Sequence, residues 1–160
     1  MKREILEILQ ENDRVTAAEI AVMLGLPEEE VRAEIAALER NNTIVKYHAM
    51  INWEKTEIDR ITAMIDVRVT PQREVGFDEI ARRIYRFPEV RSVYLMSGAY
   101  DLSVLVEAGN IKELALFVAE KLAAMDHITG TVTHFVLKRY KQEGVILDEQ
   151  NDAERLVVSP

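Results

Sequence analysis

The chain has no cysteine among its 160 residues, which excludes disulfides and thiolate metal sites. No apolar run approaches the roughly 18 residues that cross a bilayer. The opening MKREILEILQ lacks the pattern of a secretory signal. A cytoplasmic protein with no membrane partner is the expectation. His48, His127 and His134 are scattered without metal-ligand spacing, so no metal site is expected. Ser92, Ser97, Ser103 and Ser159 sit in no nucleophile-elbow context, and the chain has no glycine-rich phosphate loop. Neither an enzyme nor a cofactor is expected.

Positive charge is also short. Lys and Arg number 20 against 28 Asp and Glu, a net charge of −8. Residues 1–60 hold 8 basic against 13 acidic side chains, and residues 61–160 hold 12 against 15. Nucleic-acid affinity rests largely on neutralising phosphates, so the acidic front half weighs against an ordinary DNA-binding surface.

What is present is an ordinary globular composition, 48% hydrophobic and 30% charged, in a chain long enough for one domain or two small ones. Ile5, Ile8 and Leu9 recur at helical spacing before the stop signals Asn12 and Asp13. Thr16 and Glu19 form a T-x-x-E capping box, followed by Ile20 and Leu24 on one helical face with Met23 beside them. Gly25 supplies a sharp turn. A second helix starts at Leu26-Pro27 and carries Val31, Ile35 and Leu38 as one stripe to Asn41-Asn42. Two helices around a glycine turn predict a helix-turn-helix, or else a plain helical hairpin. Ile44 to Asn52 is a β-prone run, expected as a strand or wing.

Residues 53–60 read as a mixed-charge linker, with Trp53 as an anchor between the two halves. From Ile61 the period becomes two, with Ile61, Ala63, Ile65, Val67 and Val69 on one face and a stop at Pro71-Gln72. Phe77, Ile80, Ala81 and Ile84 mark a helix, Val90–Ser97 a strand, Gly98-Ala99 a tight connection and Tyr100–Glu107 a third strand. Gly109-Asn110 opens a helix bearing Leu114, Phe117, Val118 and Leu122, and Thr129–Lys138 is a fourth strand. The order βαββαβ predicts an α+β, ferredoxin-like domain with both helices on one face of an antiparallel sheet. Met64, Tyr94, Met96, Leu105, Phe135 and Leu137 are expected on the other face, an apolar patch suited to sheet-to-sheet dimerisation.

In this order the parts resemble the Lrp/AsnC family, the leucine-responsive or feast/famine transcription regulators. The resemblance runs over residues 1–142. It rests on Leu24-Gly25-Leu26, on Val31, Ile35, Leu38 and Glu39, on Ile44-Val45-Lys46-Tyr47, and on the G-x-Y-D segment at Gly98, Tyr100 and Asp101. It implies a winged-type helix-turn-helix DNA-binding domain at 1–52, a linker at 53–60, an ACT-like RAM domain for effector binding and oligomerisation at 61–142, and a C-terminal tail at 143–160. It further implies a regulator of transcription that binds double-stranded DNA. Such a regulator forms a homodimer that assembles into tetramers or octamers, and an amino acid or related metabolite is its effector.

The family presents the second helix of the motif to the major groove. Transferred onto this sequence, the DNA-binding candidates are Thr16, Glu28, Glu29, Arg32, Ala33, Ala36, Arg40 and Lys46. Arg32, Arg40 and Lys46 are the cations among them. Glu28, Glu29 and Glu30 suit the positive end of the helix dipole but face phosphates unfavourably. Gly98, Tyr100 and Asp101 are the effector-binding candidates, and the same residues would serve a plain turn with a packed tyrosine. Two other readings compete. One is a non-enzymatic interaction module whose acidic head acts through a more basic paralogue; the other is a stand-alone amino-acid sensor of the ACT type.

Overall fold

The structure is a computed structural model that describes residues 1–70 and 76–147. It divides into two compact units, Met1–Ile51 and Asn52–Pro160.

The first unit is three helices, α1 (Lys2–Glu11), α2 (Ala17–Leu24) and α3 (Glu28–Arg40). Their apolar stripes meet in a small core of Ile5, Leu9, Ile20, Ala21, Val31 and Leu38, the residues that helical periodicity puts on inward faces. At the start of α2 the Thr16 hydroxyl accepts from the Glu19 amide at 3.2 Å, and the Glu19 carboxylate accepts from the Thr16 amide at 2.8 Å. These two bonds satisfy amides that a helix start leaves free. Gly25 lies in the left-handed region at φ 65°, where a side chain would be strained. The Leu26 amide then closes back on the Ala21 carbonyl at 3.0 Å. Pro27 occupies the N-cap of α3, one residue outside the helix.

After α3, Asn42 turns left-handed at φ 57°, and the Thr43 and Ile44 amides both donate to the Leu38 carbonyl, at 2.9 and 3.0 Å. The strand or wing expected over 44–52 is not formed: Ile44 lies in a bend, and residues 45–52 form neither helix nor strand. The first unit offers no second β segment, and a lone β-prone run has nothing to bond across. Tyr47 secures this run instead, donating from its hydroxyl to the Glu39 carboxylate at 3.0 Å.

The second unit opens with a short 3-10 turn, Trp53–Lys55. Trp53 lies 3.7 Å beneath the Arg60 guanidinium, a partner in the same unit. The elements that follow are β1 (Ile61–Val69), α4 (Phe77–Ile84), β2 (Val90–Leu95), β3 (Leu102–Ala108), α5 (Ile111–Leu116, continued by a wider π-type stretch to Leu122) and β4 (Ile128–Phe135). They form one antiparallel sheet in the order β2-β3-β1-β4, the ferredoxin-like arrangement. Ala63, Ile65 and Val67 of β1 and Leu102, Val104 and Val106 of β3 pack against Ile80 and Ile84 of α4 and against Leu114, Phe117 and Leu122. Phe87 meets Phe117 edge-on at 5.5 Å.

A two-strand hairpin, β5 (Lys141–Gln142) with β6 (Val145–Ile146), follows the sheet, where a polar tail was expected to begin. The remainder of that tail, 148–160, and the strand stop at Pro71-Gln72 lie outside the described residues.

Pairing fixes the face opposite the helices. One row across it reads Ser92, Leu105, Met64, His134 and the next Tyr94, Ser103, Asp66, Val132. Phe135, expected here, is opposite Ala63 and so faces the helix side. His134 takes its place and approaches Asp66 at 3.1 Å. The cause is local. His127 turns left-handed at φ 73° and the β1–β4 register shifts between Arg68 and Val69, and a one-residue slip reverses every side chain of a strand. Met96 and Leu137 lie past the ends of β2 and β4, and Leu137 is 95% exposed. Met64, Tyr94, Leu105 and Val132 remain as the apolar part of the open face.

Candidate nucleic-acid interface and effector loop

Helix α3 owes its orientation to Val31 and Leu38, which are buried in the first core. At about 100° per residue, Glu29, Ala33, Ala36 and Arg40 follow one another at i, i+4, i+7 and i+11 along the side away from that core. Glu29, Ala33 and Arg40 are exposed and Ala36 is half-buried. The alanines keep this stripe low, so the helix backbone can approach a flat partner closely.

Arg32 lies on the flank rather than in the stripe and is ion-paired with Glu28 one turn back. Lys2 pairs with Glu34 at 3.5 Å and Arg3 with Glu7 at 2.6 Å. Arg14, Arg40 and Lys46 are exposed and have no ion pair among the described residues. Sequence reasoning missed Arg14, a cation two residues ahead of the Thr16 cap; that proximity was the signal available. Thr16 is committed to the capping box. The bonds from Thr16's backbone and hydroxyl hold the Glu19 carboxyl below its ordinary range.

A hollow of about 310 Å³ lies beside the stripe, lined by residues including Leu9, Val15, Arg32, Ile35, Glu39 and Tyr47. Partial burial, then the hydrogen bond and charge of Glu39, raise the Tyr47 phenol above its ordinary value. It is therefore a neutral donor at physiological pH.

In the second unit, Gly98, Tyr100 and Asp101 belong to a six-residue loop between β2, which ends at Leu95, and β3, which starts at Leu102. The tight Gly98-Ala99 connection expected between longer strands is replaced by this loop because Asp101 is held by β1. Its amide donates to the Val67 carbonyl at 3.0 Å, its carboxylate accepts from the Val69 amide at 2.7 Å, and its carbonyl accepts from the Met96 amide at 2.8 Å. The loop is thus pinned to the central strand. Arg68 lies over the Tyr100 ring, 5.1 Å from its centre, and donates to the Ala99 carbonyl at 3.3 Å. Gly98 is not left-handed, and a Cβ built there meets nothing within 4 Å. The turn itself does not require glycine.

Residues 3–39 match the AsnC-type helix-turn-helix domain and residues 62–146 the Lrp/AsnC ligand binding domain. The chain belongs to the Lrp/AsnC family. It is a DNA-binding transcriptional regulator of that type. The uncharacterized HTH-type transcriptional regulator YugG of Bacillus subtilis is 52% identical to it over 98% of this chain and 95% of its own length. The fold is that of E. coli AsnC, at a TM-score of 0.70, 21% identity and coverage of 88% of this chain and 93% of that one. A transcriptional regulator of Neisseria meningitidis, solved as its complex with L-methionine, has a TM-score of 0.72 at 23% identity, over 88% of this chain and 90% of its own.

Among the described residues of this Lrp/AsnC regulator, no group of three or more His, Cys, Asp or Glu side chains could hold a metal ion. No described helix is long and apolar enough to cross a membrane.

Proposed function

We propose that this Lrp/AsnC regulator reads duplex DNA through the outward stripe of α3, with Arg40 as its principal cation and Lys46 and Arg14 at its margins. It acts in the cytoplasm, without catalysis, as a homodimer joined through the open sheet face and assembled further into tetramers or octamers. An amino acid or related metabolite, bound beside the loop of Gly98, Tyr100 and Asp101, changes its DNA affinity. The observation that carries this reading is the exposed stripe of Glu29, Ala33, Ala36 and Arg40 within a matched helix-turn-helix domain. Solved relatives from N. meningitidis and Mycobacterium tuberculosis, both complexed with L-methionine, support the choice of effector class.

The test is a screen of the twenty amino acids by thermal unfolding of the full chain, followed by DNA binding with and without any hit. A ligand at 100 times its Kd stabilises a folded protein by about 2.7 kcal/mol, so a true effector raises the melting temperature by several degrees and shifts DNA affinity. If no amino acid does either, the effector assignment fails while the DNA-reading assignment stands on its own titration.

One observation favours a second reading. Glu28 occupies Arg32, and residues 1–51 carry ten acidic against six basic side chains. On that reading the head modulates a more basic paralogue in a mixed assembly. Tight DNA binding by the purified chain alone excludes it.

A further inference from the structure

The reading helix is short of cations, and the positive charge of this chain lies elsewhere. Arg82, Arg83, Tyr85 and Arg86 occupy the end of α4 and the turn after it, all exposed. Ile80 and Ile84 are fully buried beneath them, so the helix is anchored and its arginines project from a fixed base. Arg82 is loosely paired with Glu79 at 3.4 Å. Arg83 and Arg86, one turn apart, have neither an ion pair nor a side-chain hydrogen bond among the described residues. Between them Tyr85 is 55% exposed.

A single cation would satisfy the negative end of a helix dipole; three arginines and an open tyrosine go beyond that need. The chain's other basic run, Lys138-Arg139-Tyr140-Lys141, is largely spent on its own unit. Arg139 bonds the Thr62 hydroxyl, and the Lys138 ammonium lies 4.9 Å over the Tyr140 ring. In the first unit, three of the six cations are held in ion pairs with glutamates.

Resting on the DNA-reading function above, we infer that Arg83 and Arg86, with Arg82 and Tyr85 beside them, form a second, sequence-independent contact to the DNA phosphate backbone. Arginine and the tyrosine hydroxyl both donate to phosphate oxygens. Such a contact supplies the counterion release that an acidic head cannot. Base choice stays with α3, and the ridge on α4 contributes affinity without preference.

The test compares the full-length protein with R83Q/R86Q and R83K/R86K in fluorescence anisotropy across a salt series. One duplex carries the protein's own upstream sequence and another is scrambled. Two phosphate contacts per protomer contribute about 1.8 to the slope of log K against log salt. R83Q/R86Q is therefore expected to lower the slope by about that amount per bound protomer, and to weaken both duplexes by the same factor. R83K/R86K, which keeps the charges, is expected to retain the wild-type slope. An unchanged slope in the glutamine variant, with unchanged thermal unfolding, overturns the inference. So does a lysine variant that loses as much as the glutamine one. Failure of the wild type to bind either duplex at low salt overturns the DNA-reading function itself, and this contact with it.

Discussion

Arg32 and Arg40 sit on one helix two turns apart, and their surroundings give them different work. Arg40 stands on the outward stripe with no ion pair among the described residues, whereas Arg32 is held by Glu28 on the flank. An exposed i,i+4 pair is worth only a few tenths of a kcal/mol, so a phosphate can compete for Arg32 once Glu28 is neutral. Glu28→Gln is expected to tighten DNA binding several-fold and to steepen its salt slope by about 0.9, as read by anisotropy in a salt series. An unchanged slope would show that Arg32 never meets a phosphate.

At the start of α2, Thr16→Ala removes the cap hydroxyl and is expected to lower stability by about 1 kcal/mol, measured by denaturant unfolding. The Glu19 carboxyl is held below its ordinary range by the Thr16 bonds. Its contribution is therefore present above the unfolded glutamate value of about 4.3 and is lost as pH falls through the lower folded value. Glu19→Gln should remove that part of the acid-limb slope, and a pH series of unfolding curves reads it directly.

At the scale of elements, local chemistry was legible and distant bonds were not. The capping box, the glycine turn and the spacing of Val31, Ile35 and Leu38 announced α2 and α3, because each depends on neighbours within four residues. The alternation from Ile61 to Val69 announced β1 for the same reason. The β2–β3 loop was misread because Asp101 takes its partner Val69 from 32 residues away, a bond that no window along the chain contains. Phe135 was assigned to the wrong face because the register of β4 is set by His127 and the irregularity at Arg68/Val69, not by its own apolar residues. The run 44–52 has β propensity but no partner strand in its unit, and propensity alone forms no ladder.

The effector candidates were found as a motif, yet their geometry shows what Asp101 holds. Asp101→Asn keeps the shape and weakens the acceptor of the Val69 amide. It should destabilise the protein by about 1–3 kcal/mol and loosen the loop, seen as faster hydrogen exchange at Val69 and Met96. Protection equal to wild type at both amides would mean that the carboxylate does not pin the loop.

The whole molecule has two compact units, one matching the AsnC-type helix-turn-helix domain and the other the Lrp/AsnC ligand binding domain. The open face carries Met64 at 46% exposure, with Tyr94, Leu105 and Val132 around it and the Asp66–His134 contact within the same rows. A charge placed there costs little while the face meets water and much once it is covered. Met64→Lys should therefore shift the protein toward monomer in analytical ultracentrifugation while leaving the far-ultraviolet circular dichroism unchanged. An undisturbed oligomer would place the self-interface elsewhere. Weak heads gain from assembly, since linked sites raise each other's effective concentration, so the monomeric variant should also bind DNA less tightly.

The central claim is that α3 reads DNA through the stripe that ends in Arg40. The most direct measurement is a titration of the full-length protein, beside its Arg40→Glu variant, into its own upstream DNA at low and moderate salt. Wild-type binding is predicted to fall steeply with salt while preferring the upstream sequence over a scrambled duplex, and Arg40→Glu is predicted to lose that preference together with most of the affinity. A variant that holds the same site with the same affinity, or a wild type that binds no duplex at low salt, would contradict the account.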